Sequence, residues 1–370
     1  MVTNLPPQAE AQYKKVIASK SKEEKLENLK IFLSMIPEHK GTEKLRAQVK
    51  RQISRLQEEI ILEKKRRSTR QVVFDKGESS ILTTIMTKDK SLLHDFLFRT
   101  RLFKEESVLE SLNELKPLSA PFEDINISLM PVSMSLIESR RYSLIQTILF
   151  KSDLILVLLG ETDPYEEYRL TKEMLSRFGI YIASKNSTAV FNPLKAGGIT
   201  IVNKSKFLGE DEIRKFLSEH GYESGIVNLS EYTSLYTLES SIRGLQRRSF
   251  LMLFEGDFEE TRLAYELKVP PECVVKTETF LQGDFLKKVF EASEIIRVYL
   301  KPPSATLPSE KPMLVNAGIT VGELASRIHG GLYESLKYAR LWRGGFKSTP
   351  LRVSPSFKLM DKDVVELRTR

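Results

Sequence analysis

The sequence predicts an α/β protein built from an N-terminal helical hairpin, a parallel-sheet domain with an insertion, and a small C-terminal β-grasp module. Three observations carry this. Residues 1–67 place apolar side chains at steps of three and four, the period of a helix face. From Gln71 to about Ile296, short apolar runs alternate with helical patterns, as in a largely parallel sheet. Residues 311–370 read strand, helix, strands after a Lys301-Pro302-Pro303 break.

The hairpin occupies 1–67. Ser21 and Glu24 form a capping box ahead of Leu26, Leu29, Leu33 and Ile36. Pro37 and Gly41 end that helix, and Thr42 caps a second carrying Leu45, Val49, Ile53, Leu56 and Ile60. Lys44, Lys50, Arg51 and Arg55 lie off the apolar stripe, and Lys64, Lys65, Arg66 and Arg67 close the helix, where cations suit its dipole. The sheet domain spans 68–300. Its expected strands are 72–74, 125–129, 154–159, 180–183, 199–202 and 250–254, with helices at 166–177 and 211–220. Residues 195–246 form an inserted unit, 301–310 a linker, and 311–370 the β-grasp module.

Composition narrows the function. Of 370 residues, 41% are hydrophobic and 29% charged, the balance of a globular chain. No apolar run approaches the ~20 residues of a membrane span, and residues 1–10 lack a signal-peptide core. Cys273 is the only cysteine, and His39, His94, His220 and His329 are scattered, so neither a disulfide nor a metal site is expected. These features lead to a cytoplasmic protein with no membrane partner. The net charge of +8 is unevenly placed: +7 over 40–70, +6 over 311–370 and −6 over 71–310. Basic ends on an acidic body suggest a polyanion met at both ends.

One stretch has the layout of a phosphate-binding loop. Val72-Val73-Phe74 lead into Asp75-Lys76-Gly77-Glu78-Ser79-Ser80, and Ile81, Leu82, Ile85 and Met86 follow at helical spacing. A P-loop, GxxxxGK[ST], needs this strand, loop and helix. Gly77 and Ser79 match the pattern; Val72 replaces the first glycine and Glu78 the lysine. The other reading of Glu78 is an acid at a surface helix start.

Three further segments, Pro37 to Arg46, Ile296 to Pro303 and the terminal module with Ser335 to Trp342 and Leu359 to Val365, give the chain its likeness. It resembles the DRG branch of the Obg-related GTPases, whose last module is the TGS domain. The resemblance aligns the Mg²⁺-binding DxPG motif with Leu129-Met130-Pro131-Val132, where only Pro131 remains. The guanine-reading NKxD falls on residues 254–257, keeping Asp257, and the SA motif falls on Lys276-Thr277. No Thr lies between Arg101 and Gln146 to serve as the switch residue. The remnant nucleotide site is then Gly77, Glu78, Ser79, Pro131 and Asp257. Glu for Lys beside a phosphate swings the Coulomb energy by up to roughly 8 kcal/mol at short range. The expectation is a DRG-like pseudo-GTPase with no catalytic residues, binding neither GTP nor Mg²⁺.

The implied partner is the ribosome or another structured RNA. Lys44, Lys50, Arg51, Arg55, Lys64, Lys65, Arg66, Arg67, Arg340, Arg343 and Lys347 are the candidate contacts. Trp342 is expected to pack inward and leave Arg340 and Arg343 facing solvent. Two alternatives remain. One is a GTP-binding protein or weak GTPase using Lys76 or Lys88 in place of the missing lysine. The other is an adaptor whose acidic centre binds a basic regulatory protein.

Overall fold

Residues Ser80–Thr87 form a strand, β1, where the sequence predicts a helix start. The structure, a computed structural model, describes residues 8–9, 12, 15–16, 19, 22–37, 42, 45–46, 49–50, 52–53, 56, 79–134, 142–279, 282–346 and 349–369. Ile81, Thr83, Thr84, Ile85 and Thr87 are β-branched and suit a pleated chain. A strand covered on both faces shows no alternation, so its apolar residues imitate a helical face. All eight residues of β1 are buried. Neighbouring elements satisfy two of its hydroxyls: Ser80 meets Ser128 at 2.9 Å and Thr84 meets Ser152 at 2.5 Å.

The following strands are β2 (Leu118–Phe122), β3 (Ile125–Ser133), β4 (Leu154–Leu159) and β5 (Ile180–Ile182). Next come β6 (Ala189–Pro193), β7 (Ile199–Asn203) and β8 (Gly225–Leu229), then β9 (Gln246–Phe254) and β10 (Val274–Lys276). The main sheet has the order β10-β9-β4-β1-β3-β2, with β5 also on β9. All its pairs are parallel except β2 with β3. Helices α2 (Lys90–Arg99), α3 (Glu105–Glu114) and α9 (Gln282–Ala292) cover one face. Their Leu93, Phe96, Leu112, Phe285 and Val289 pack on Ile81, Ile85, Ile127, Leu129, Leu156 and Leu251. Helices α4 (Tyr142–Lys151) and α5 (Pro164–Arg177) lie against β1 and contribute the buried Ile145, Ile148 and Leu175.

The inserted unit has its own sheet, β6-β8-β7. Helices α6 (Glu210–Glu219) and α7 (Leu235–Ile242) close a small core of Ile213, Leu217, Val227, Leu229 and Leu238. Its first strand begins at Ala189 rather than at 195, because Ala189–Pro193 pairs with β8. Helix α8 (Glu260–Leu267) precedes β10.

The terminal module begins earlier than the sequence suggests. Strands β11 (Ile295–Leu300), β12 (Met313–Asn316), β13 (Leu336–Trp342), β14 (Leu351–Val353) and β15 (Asp363–Thr369) form a sheet ordered β12-β11-β15-β13-β14. Ile296, Val298 and Leu300 share its core with Val365 and with Val321 and Leu324 of α10 (Val321–Ile328). Residues 301–310 are therefore a connection inside the module, not a linker ahead of it. Thr320 and Glu323 form a capping box at α10, and α11 (Gly330–Ser335) follows.

Arg297 ties this module to the main sheet. Its guanidinium, 3% exposed, donates to Asp361 at 2.6 Å, Glu123 at 2.5 Å and Asp124 at 2.7 Å. Glu123 and Asp124 form the β2–β3 turn. The Tyr299 hydroxyl also bonds Asp124, and Lys362 reaches Glu123 at 2.8 Å. The Lys362 ammonium and then Arg297 hold the Glu123 carboxyl below its ordinary value. Burial pushes Asp124 up, but Tyr299 and Arg297 more than offset that.

Residues 1–74 form a separate unit. Helix α1 (Lys22–Met35) is described there, with Ala9, Val16, Leu29, Phe32, Ile36 and Val49 buried together. Leu33, Leu45, Ile53 and Leu56 pack against them, as the expected seam requires. Thr42 accepts the backbone N–H of Arg46 at 2.9 Å, and Arg46 donates back to the Ile36 carbonyl at 2.6 Å. Ser21 lies outside the described residues.

Arg297→Ala strands three carboxylates and is expected to cost about 3 kcal/mol, less as solvent reaches them. Urea denaturation checks this, and an unmoved midpoint contradicts it. Glu123 and Asp124 have depressed folded pKa values. Their stabilisation is full above the unfolded values near 4 and is lost as pH falls through the lower folded values. Acid titration of unfolding should show this limb flattened in Arg297→Ala.

Candidate functional site

In a parallel sheet, ligands bind at the carboxyl ends of the strands, where the connections diverge to either side. Here β1 lies between β3 and β4, so the crevice forms around the ends of β1, β4, β9 and β10. Ser79 lies at the other end. It precedes β1 with φ of 57°, and its hydroxyl donates to the Pro312 carbonyl at 2.8 Å. Seven residues of strand separate Ser80 from Thr87, roughly 23 Å. Ser79 thus ends a segment that precedes β1, and the expected strand 72–74 lies outside the described residues. Gly77, Glu78 and Lys76 themselves are outside the described residues.

The connection that does follow β1 is Lys88-Asp89, before α2. It has no glycine. Lys90-Ser91 open the helix, reproducing the lysine–hydroxyl pair of the motif twelve positions after Glu78-Ser79, where the sequence pattern places it. Asp89 caps α2: its carboxylate accepts the Ser91 N–H at 2.8 Å. That carboxylate stands where a helix N-terminus presents amides to a phosphate. Lys90 donates to Asn113 at 2.8 Å from an exposed position. The Thr87 hydroxyl, at the end of β1, is buried without a hydrogen-bond partner.

Leu129 and Pro131 lie within β3, paired with Thr83 and Ile85. Leu129 is fully buried among apolar side chains, which leaves it no polar group for a metal's water shell. Pro131 is beyond the last β2 pair, at Leu129, so its missing N–H costs that ladder nothing.

At the far end of the crevice, β9 and β10 bring the remaining residues together. Asp257 is fully exposed, 3.8 Å from the Lys276 ammonium, which also meets Glu278 at 3.3 Å. Gly256 turns with φ of 96° beside Glu161, a conformation that side-chain-bearing residues rarely adopt. Glu255 pairs with Arg99 of α2. The Thr277 hydroxyl is buried and unpartnered. Two orphaned hydroxyls at one edge are uncommon in a finished interior, and they suit a polar ligand. Asp257, Lys276 and Thr277 would face a base; Thr87, Lys88, Lys90 and Ser91 would face phosphates.

The cationic candidates sort differently. Lys44, Arg51, Arg55, Lys64, Lys65, Arg66, Arg67 and Lys347 are outside the described residues, and Lys50 is exposed. Trp342 is buried, against Phe346 at 5.0 Å. Arg343 is not a free cation: it forks onto the buried Asp363 at 2.9 and 2.7 Å. Arg340 is half exposed, 3.6 Å from Glu366. The register places it beside Arg352, whose guanidinium lies 4.1 Å from the Tyr338 ring centre. Lys301 and Arg368 also reach Glu366. Burial pushes the Glu366 carboxyl up, yet Lys301 and Arg368 hold it below its ordinary value. Arg352, Arg368 and Lys301 escaped the sequence reading. The alternation of Tyr338, Arg340 and Trp342 with buried Ala339 and Leu341 was the available signal.

A family model described as the TGS domain matches residues 296–369. Developmentally-regulated GTP-binding protein 1 of Xenopus laevis is 23% identical over 227 residues, covering 58% of this chain and 60% of that protein. Ribosome-interacting GTPase 1 of Saccharomyces cerevisiae is 21% identical over 225 residues, with the same shares. The match thus spans 60% of the length of each relative. The solved YchF GTPase of Schizosaccharomyces pombe covers 80% of this chain and 99% of its own at a TM-score of 0.39 and 8% identity; the fold assignment here rests on the strand order instead.

The expectation that neither GTP nor Mg²⁺ binds is corrected by these findings. It rested on Glu78 inside a P-loop, and the fold makes the following residues a strand. The matching relatives are GTP-binding proteins by name. Asp89→Ala is expected to cost about 1 kcal/mol through the lost cap. It should also raise the affinity for guanine nucleotide, by freeing an amide and removing a charge. Thermal melts and nucleotide titration check the pair; unchanged affinity contradicts the assignment of the crevice.

Proposed function

From a chain that ends in a TGS domain and is a distant relative of the DRG-type GTP-binding proteins, we propose a cytoplasmic translation factor that docks on ribosomal or other structured RNA without hydrolysing GTP. The observation that carries it is the outer face of the β-grasp sheet. Arg340, Arg352 and Arg368 stand on adjacent strands, and Lys301 follows the end of β11; Arg340, Arg368 and Lys301 converge on one carboxylate, Glu366. The cations outnumber the acid, so the face keeps a positive field that attracts phosphates. The ring of Tyr338 under Arg352 adds a flat surface of the kind that accompanies RNA contacts. The yeast relative's name, a ribosome-interacting GTPase, supports the same partner.

Absence of hydrolysis is supported by the segment 101–146, which carries no Thr to act as the switch residue that the resemblance expects. The chain's own residues at the crevice supply cations, hydroxyls and a base-facing carboxylate. These bind and orient.

Ribosome binding should weaken by at least about tenfold between about 50 and 200 mM salt, as counterions are released. Arg340→Glu with Arg352→Glu should weaken it further and make the salt dependence shallower. Co-sedimentation checks both. Binding indifferent to salt and to the double reversal overturns the proposal.

A further inference from the structure

We propose that the cavity between α5 and α7 binds a small phosphate-bearing molecule. It encloses about 430 Å³, a size suited to a small ligand. It lies along the second half of α5, while the nucleotide crevice is reached from the start of that helix.

The charges in it do not balance. Arg169 is occupied by Glu166 at 2.6 Å and by Glu173, and Arg243 holds Glu239 at 3.4 Å. Both acids of the lining are thereby engaged. Lys172 makes no ion pair among the described residues; its ammonium sits 4.5 Å from the Tyr168 ring centre and 5.0 Å from that of Tyr236. Burial pushes this amine below its ordinary value, Arg169 and Lys268 push the same way, and Glu173 opposes them. Arg177 adds another cation to the lining.

A second observation points to a ligand. The Tyr236 hydroxyl is buried and makes no well-formed hydrogen bond; the Ile182 backbone and the Ser240 hydroxyl are its polar neighbours. A half-buried ammonium without an ion pair and a buried hydroxyl whose hydrogen bonds are poorly formed are both costly. One anion resolves both. A phosphate group accepts from several directions at once, including an ammonium, a hydroxyl and planar guanidinium forks. A planar carboxylate offers fewer such directions. The two tyrosine rings keep Lys172 in place while the cavity is empty.

Isothermal titration of the full chain with inorganic phosphate and with pyrophosphate, at constant ionic strength against chloride, tests this. Saturable binding is expected, weakened about tenfold or more by Lys172→Met, which keeps the aliphatic stem over the rings. Arg243→Gln, on the opposite helix, should weaken it as well and serves where Lys172→Met disturbs packing. NMR of the lysine side chains should show the Lys172 amine titrating at higher pH once pyrophosphate is bound. Lys90→Ala should remove any pyrophosphate held in the nucleotide crevice, while the binding that Lys172→Met weakens persists in it. No saturable binding of either probe overturns the proposal. Binding abolished by Lys90→Ala yet retained in Lys172→Met overturns it too, by assigning the anion to the crevice.

Discussion

Arg297 is almost wholly buried, yet it answers three carboxylates from two places in the chain: Asp361 in its own module, and Glu123 with Asp124 in the β2–β3 turn. A guanidinium can do this because its planar fork offers five donors. The result is that the β-grasp sheet is held against the edge of the main sheet by directed bonds, and its cationic outer face is fixed with it. Breaking one partner of such a cluster leaves charge in a poorly hydrated place, so the arrangement resists sliding. Phe290, with its ring centre 4.7 Å from the guanidinium, closes the remaining side. The carboxyl edge of the main sheet and the cationic face of the module thereby belong to one body, the unit 75–370.

Parts of this were legible beforehand for simple reasons. Leu154–Leu159 is a run of six apolar residues and can only be a buried strand or a core helix too short to matter. Glu166 and Glu167 after Asp163 and Pro164 mark the start of α5. The same logic failed at β1, where four residues that fit a helical face belong to a strand buried on both sides. With β1 taken for a helix, the phosphate-binding loop falls before it, whereas in a parallel sheet such a loop follows the strand. At β11 the prolines of 302–303 suggested a boundary, whereas the strand ahead of them is already paired on both edges with the module.

The site was legible only in fragments. Asp257 and Lys276-Thr277 come from separate strands and do converge, because β9 and β10 are parallel neighbours. Arg340 was found by its charge, but Arg343 beside it is taken up by Asp363. No local pattern distinguishes the two; the difference is a partner twenty residues away in sequence. Arg297 was invisible for the same reason, since its partners lie 64 and 174 residues distant.

The main sheet is a body that positions cations and offers a crevice at its carboxyl edge. The direct measurement is single-turnover GTP hydrolysis with Mg²⁺, in the presence and absence of ribosomes. Phosphate release no faster than in buffer alone is expected under both conditions. Hydrolysis above that rate, lost on Lys90→Ala, would contradict it.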